Sequence, residues 1–238
     1  MATDRKIALA VGLFYIIGTV AGVLSVVVSS PLLDASDYLA EISAHEPQMI
    51  TAALCVLIMG LSLAMVPIVA FPVLKRQNEA LALGYIVIRG ALEAGTYIIV
   101  VISWLLLVPI SQEYVQASDV SSFEMLGTVL VETGENAGTI VSLVFPLGAL
   151  MFYYLLYRSK LIPRWLSAWG IIAVFFYVAA ALLDLFDVVE ADSTTYILLN
   201  MPMALQEMVM AVWLIVKGFN AAVSGPAPAT ARDGVLDV

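Results

Sequence analysis

Charge is scarce in this 238-residue chain. Only 12% of its residues are Asp, Glu, Lys or Arg, while 62% are hydrophobic. Soluble domains run at about 25% charged and about 45–50% apolar. The shortfall excludes a soluble globular domain and, equally, a disordered polyelectrolyte. Cysteine and histidine are almost absent. The one cysteine, Cys55, excludes an intrachain disulfide framework and any cysteine-rich metal or iron–sulfur site. The one histidine, His45, excludes a bis-histidine haem. There is no H-E-x-x-H zinc motif, no G-x-S-x-G nucleophile elbow and no phosphate-binding P-loop. No cofactor is implied.

What is present is apolar sequence in long uncharged runs: 7–33, 48–74, 94–112, 136–157 and 165–183. Each is long enough to cross a hydrocarbon core of about 30 Å. The third extends back to Ala80 if Arg89 and Glu93 are taken inside, and a sixth, 196–216, is interrupted by Gln206 and Glu207. The reading is an all-α bundle of six transmembrane helices at about 7–29, 48–74, 80–108, 124–157, 165–186 and 195–218. Six spans of about 22 residues leave only short loops and tails, with no room for a separate enzyme domain. The first run far exceeds the about 7–15 residues of a signal-peptide core, so it is expected to be retained as a span. Residues 1–219 then form the transmembrane domain. Residues 220–238, rich in Gly, Pro, Ala and Ser, are expected to be a disordered cytoplasmic tail.

Basic residues set the orientation. Arg5 and Lys6 precede the first span, Lys75 and Arg76 follow the second, Arg158, Lys160 and Arg164 lie between the fourth and fifth, Lys217 ends the sixth and Arg232 is in the tail. All fall on one side, which the positive-inside rule makes cytoplasmic, with both termini there. Tyr153, Tyr154, Tyr157, Trp165 and Trp169 are expected to form an aromatic belt at that interface. Helical rather than strand spans point to a cytoplasmic-type membrane. The opposite loops carry Asp34, Asp37, Glu41, Glu46, Glu113, Asp119, Glu124, Asp187, Glu190 and Asp192. They read as a solvated rim in preference to a cation-attracting face, because acids in water cost little.

Arg89, Glu93 and Glu207 lie inside spans, where a charge costs at least about 2.5–3.5 kcal/mol and must pair or meet water. At about 1.5 Å of rise per residue, Arg89 is about 13 Å and Glu93 about 20 Å into the third span, and Glu207 is about 15 Å from Lys217. The three share mid-membrane height. Arg89 and Glu93 are four residues apart on one helical face, with Tyr85, Thr96 and Ser103. Glu207 shares a face with Asn200 and Tyr196. Glu132, Asn136 and Thr139 lie on one side of the fourth span with Glu135 nearby, and Tyr15, Thr19, Gly22 and Ser29 on one side of the first. The expectation is a single polar core. Arg89, Glu93 and Glu207 sit deepest, Thr96, Thr139 and Asn200 come next, and Asn136, Glu135 and Ser103 lie near the outer rim. A pocket would open outward. One Arg against two Glu is a composition suited to a proton-coupled carrier. It is also what structural glue between helices looks like.

Other features read more plainly. Gly18-x-x-x-Gly22 and Gly134-x-x-x-Gly138 suit close packing within the bundle. Pro67, Pro146 and Pro202 sit inside spans as kinks that membrane bundles tolerate. Met201, Met203, Met208 and Met210 read as adaptable packing, not a copper path. His45 with Glu41 and Glu46 lacks ligand spacing, so no metal site is expected. Cys55 reads as a small apolar residue. The basic, aromatic loop 158–165 could meet anionic lipid, although any short cytoplasmic loop has this composition.

Several stretches carry a family resemblance: "RKIALAVGLFYIIGTVAGVLS" (5–25), "FPVLKRQNEALALGYIVIRGALEA" (71–94), "SQEYV" (111–115), "GALMFYYLLYRSKLIPRWLSAWG" (148–170) and "QEMVMAVWLIVKGF" (206–219). Together they resemble the prokaryotic integral membrane family known as domain of unknown function 4386, over about residues 5–219. The resemblance implies a multi-helix membrane protein and no assigned activity. Arg89, Glu93 and Glu207 match positions common in that family. Around 132–136 the family often carries an Arg-Asp pair, where this chain has Glu132-Thr133-Gly134-Glu135-Asn136. That departure weakens any family-wide role for the segment.

Three functions compete. One is a protein that binds or moves a small polar solute or proton. The second is a structural or accessory subunit whose buried ion pair is helix glue. The third, less favoured for want of a recognisable catalytic set, is an enzyme acting on a lipid-like substrate through Glu93, Glu207 or Glu135. The expected partners are the lipid bilayer and a small polar solute or proton. Nucleic acid is not expected, and the oligomeric state stays open.

Overall fold

The computed structural model describes residues 2–190 and 193–220. Among these residues every regular element is helical. The helices are α1 (Ala2–Leu33), α2 (Tyr38–Ala44), α3 (Glu46–Leu74), α4 (Glu79–Tyr85), a π-helical segment (Ile86–Glu93), α5 (Ala94–Tyr114), α6 (Ser121–Ser159), α7 (Arg164–Leu185) and α8 (Thr194–Val216). The α4–π–α5 stretch is one continuous span, so six helices are long and apolar enough to cross a membrane. They match the six expected spans to within a few residues at most ends. The expected tail lies outside the described residues beyond Asn220, as do Asp192 and Arg232.

The spans pack as a closed ring. Each touches the next in sequence, and α8 returns to pack on α1. The ring's outer surface is apolar, with Val27, Phe175 and Phe186 each more than 60% exposed. In water such a surface would aggregate; in hydrocarbon it is solvated by lipid. The interior holds Val66, Ala70, Tyr85, Phe152, Met210 and Leu214. Glycines let helices approach: Gly18 faces Leu63 and Gly22 faces Met59, both on α3, which is packing within the bundle.

Local chemistry fixes the ends. Asn78 caps α4 by accepting from the Leu81 N–H at 3.0 Å, and Ser193 caps α8 by accepting from the Tyr196 N–H at 3.2 Å. Eight of the nine described Lys and Arg residues lie at the end where α1 begins and α8 finishes. That end is tied together: Arg5 donates to the Leu214 carbonyl at 2.9 Å, and Arg76 to Asp4 at 2.6 Å. It is called the basic end below.

Three details differ from the sequence expectations. α2 is a short helix inside what reads as a loop; Asp37 caps it, and Leu39 and Ile42 bury against Leu32, Met49 and Leu107. The third span is not a uniform α-helix, because the π-helical segment widens it at Arg89 and Glu93. Tyr153 does not belong to an aromatic belt. It is 1% exposed, and its hydroxyl donates to Gln206 Oε1 at 2.6 Å, whereas Tyr154, Tyr157 and Trp165 are exposed as the belt requires. α6 turns Tyr153 toward the ring's centre, where it packs on the backbone at Gly170 of α7.

Candidate functional site

Arg89 occupies the centre of the ring and is 2% exposed. Its guanidinium lies 4.9 Å from the Phe145 ring centroid and 5.5 Å from that of Tyr15. Cation–π attraction from α6 and α1 thus holds it on two sides. Two carboxylates approach. Arg89 Nη1 is 3.7 Å from Glu93 Oε2 in the same π segment, and Nη2 is 3.5 Å from Glu207 Oε1 on α8. The convergence of the third and sixth spans is therefore present, but the contacts are longer than the about 2.7–2.9 Å of a charge-assisted hydrogen bond. Arg89 Nε, Glu93 Oε2 and Glu207 Oε1 are buried and make no hydrogen bond.

These three residues line a cavity of about 190 Å³ with Leu63, Tyr97, Val141, Phe145, Tyr177, Asn200, Met203 and Ala204. A water takes about 30 Å³ in the liquid, so the space suits several waters or one small solute. Toward the basic end the site is backed by aromatic packing. Tyr85 stacks on Phe152 at 4.8 Å, and its hydroxyl is 3.4 Å from that of Tyr15. Gln206, fully buried, accepts from Tyr153 and donates to the Leu166 carbonyl at 3.1 Å, locking α8 to α6 and α7. The sequence showed Gln206 only as a polar interruption, and a glutamine beside an intramembrane glutamate was the available signal. Tyr97, Phe145 and Tyr177 were missed, because aromatic residues in apolar spans read as packing.

The expected polar core divides in two. Asn200 joins Arg89, Glu93 and Glu207 at the cavity. Tyr85 lies behind Arg89 without lining the cavity. Thr96 and Ser103 are buried, but each hydroxyl donates to its own helix, at Leu92 O and Ile99 O. Glu135, Asn136 and Thr139 belong to a separate cavity of about 630 Å³ nearer the end opposite the basic one, with Ser142, Asp184, Asp187 and Tyr196. Glu132 is exposed and lines neither. Asn136, which helical spacing aligns with the core, is exposed on α6 and faces this second cavity instead. Between the cavities the Tyr177 and Tyr196 hydroxyls both interact with that of Ser142. Between α2 and α3, at the end opposite the basic one, His45 Nδ1 is 3.1 Å from Glu41 Oε1. Among the described residues no three His, Cys, Asp or Glu side chains gather as metal ligands.

A ring of six apolar spans around a buried Arg–Glu–Glu cluster defines a multi-pass helical membrane protein. Residues 10–218 match the family described as "Domain of unknown function (DUF4386)", and the chain belongs to that family. No curated protein and no solved structure matches it.

Proposed function

We propose that this protein resides in the cytoplasmic membrane of a prokaryote, with its basic end and both termini in the cytoplasm, and binds or moves a small polar solute or a proton at the Arg89–Glu93–Glu207 cavity. The orientation rests on the basic end, since cytoplasmic loops carry the excess of Lys and Arg. One observation carries the functional reading: three buried polar atoms without hydrogen bonds, on the three charged residues that share a small cavity. Each unsatisfied buried group costs about 1–3 kcal/mol, and more when charged. A solute or water completing those bonds recovers that cost. The helix-glue reading draws on the same Arg89 contact, which joins the third span to α8.

Replacing Glu207 by Gln separates the two. Proteoliposomes containing a pH-reporting dye would be given an external acid step, with and without methylamine as a small polar probe. The binding reading expects proton or amine flux above that of empty liposomes, and its loss in E207Q while thermal unfolding shifts by only a few degrees. Equal leak in wild type, E207Q and empty liposomes, with a lowered melting temperature for E207Q, assigns the cluster to glue.

A further inference from the structure

A second site lies at the basic end, about 15 Å from Glu207 by the rise of α8 to Lys217. It is a cavity of about 650 Å³ built from the α6–α7 turn and the end of α8. Three cations line it: Lys160 and Arg164 from the turn, and Lys217 from α8. None forms an ion pair among the described residues, whereas Arg76 at the same end is neutralised by Asp4 at 2.6 Å. All three are exposed at the rim, and no acid lines the concavity, so their positive potentials add there and favour an anion. Arg164 is held in place over the Tyr157 ring at 5.3 Å.

The cavity's two halves are joined. The Asn220 N–H donates to the Leu161 carbonyl at 2.8 Å, and Gly218, at φ 76°, turns the chain back toward the loop. Leu161, Ile162 and Trp213 supply apolar wall beside the cations. α7 begins behind Pro163 with no side-chain cap, so the positive end of its dipole adds to the same region. Trp165, 55% exposed and stacked with Trp169 at 6.4 Å, marks the level at which amphipathic rings meet headgroups. Cations at the rim, apolar surface beneath and a place in the headgroup layer match one chemistry: a phosphate bearing hydrocarbon.

From this geometry we infer that the cavity binds the phosphate of an anionic phospholipid, with Lys160, Arg164 and Lys217 as its charge partners and Trp213 against its apolar part. This site is independent of the mid-membrane cavity. Its composition goes beyond a positively charged loop, because Lys217 comes from a helix far away in sequence.

The full chain in detergent would be mixed with dioleoylphosphatidylglycerol, dioleoylphosphatidylcholine or inorganic phosphate, and retained ligand counted by native mass spectrometry. The expected result is phosphatidylglycerol retained at least about tenfold over phosphatidylcholine. K160Q/R164Q/K217Q would lower that retention about tenfold. K6Q/K75Q/R158Q removes three other cations of the same end and would lower it less than about threefold. The single variant K217Q keeps the loop charges that guide insertion and would still lose severalfold. Equal losses in the two triple variants, or no preference between the lipids, would overturn the site. Displacement of phosphatidylglycerol by millimolar inorganic phosphate would assign the cavity to a free anion and overturn the lipid.

Discussion

Arg89 depends on its neighbours' identity more than on close contact. Two rings flank its guanidinium, and two carboxylates stand at 3.5–3.7 Å. Removing the cation alone would strand Glu93 and Glu207 inside the bundle without a charge partner. Breaking a buried pair in this way costs about 3–5 kcal/mol, whereas removing all its charges costs far less. Arg89→Met is therefore expected to destabilise the protein strongly in denaturant titrations in micelles. R89M/E93Q/E207Q should recover much of that loss. A triple variant less stable than the single one would mean that the carboxylates do not depend on Arg89. At this scale the sequence was informative where a charge interrupts an apolar run, which is why Arg89, Glu93 and Glu207 could be found. Tyr153 and Gln206 could not, because their burial depends on helix rotation. A tyrosine near a basic loop reads as an interface residue until α6 turns it inward.

The third span shows how a helix can defeat its own periodicity. Arg89 and Glu93 are spaced for one face of an α-helix, yet they sit in a π-helical segment with a wider turn. Such segments recur at functional sites because the wide turn re-aims side chains. Nothing in the run Ile86–Glu93 announces it, so the downstream faces carrying Thr96 and Ser103 were placed only approximately. Helix packing gives a clearer test. A Cβ on Gly12 would stand 2.7 Å from the Ala211 carbonyl oxygen, a backbone atom of α8 that cannot move aside cheaply. A Cβ on Gly138 would meet nothing within 4 Å. Gly12→Ala should therefore cost about 1–3 kcal/mol as overpacking, and Gly138→Ala should gain up to about 1 kcal/mol through helix propensity. Thermal melts of the two variants check the contrast. Equal shifts would show that α1 and α8 are not packed this closely.

At the scale of the molecule, six spans and their order followed from composition and run length, because lipid leaves the backbone few alternatives to a helix. Closure of the ring did not follow. It depends on α8 returning to α1, through contacts such as Arg5 to the Leu214 carbonyl that join the first and last spans. The closed ring puts every short connection at one end or the other and leaves the two ends opposite in charge. Arg5, Lys75, Arg76, Arg158 and Lys217 lie at one, while Asp34, Glu113, Asp119 and Glu190 lie toward the other. The proposed orientation makes a direct prediction from this polarity. Cys55 is the only cysteine, so replacing it by Ala gives a background free of thiols. Ser118→Cys on the acidic side and Glu79→Cys on the basic side both place a thiol at an exposed position. In intact cells a membrane-impermeant maleimide should label the cysteine at 118 and spare the one at 79, and permeabilisation should expose both. Labelling at 79 alone would reverse the topology. The cation-lined cavity would then face the outer leaflet, and the acidic cavity at Glu135 and Asp184 would open to the cytoplasm.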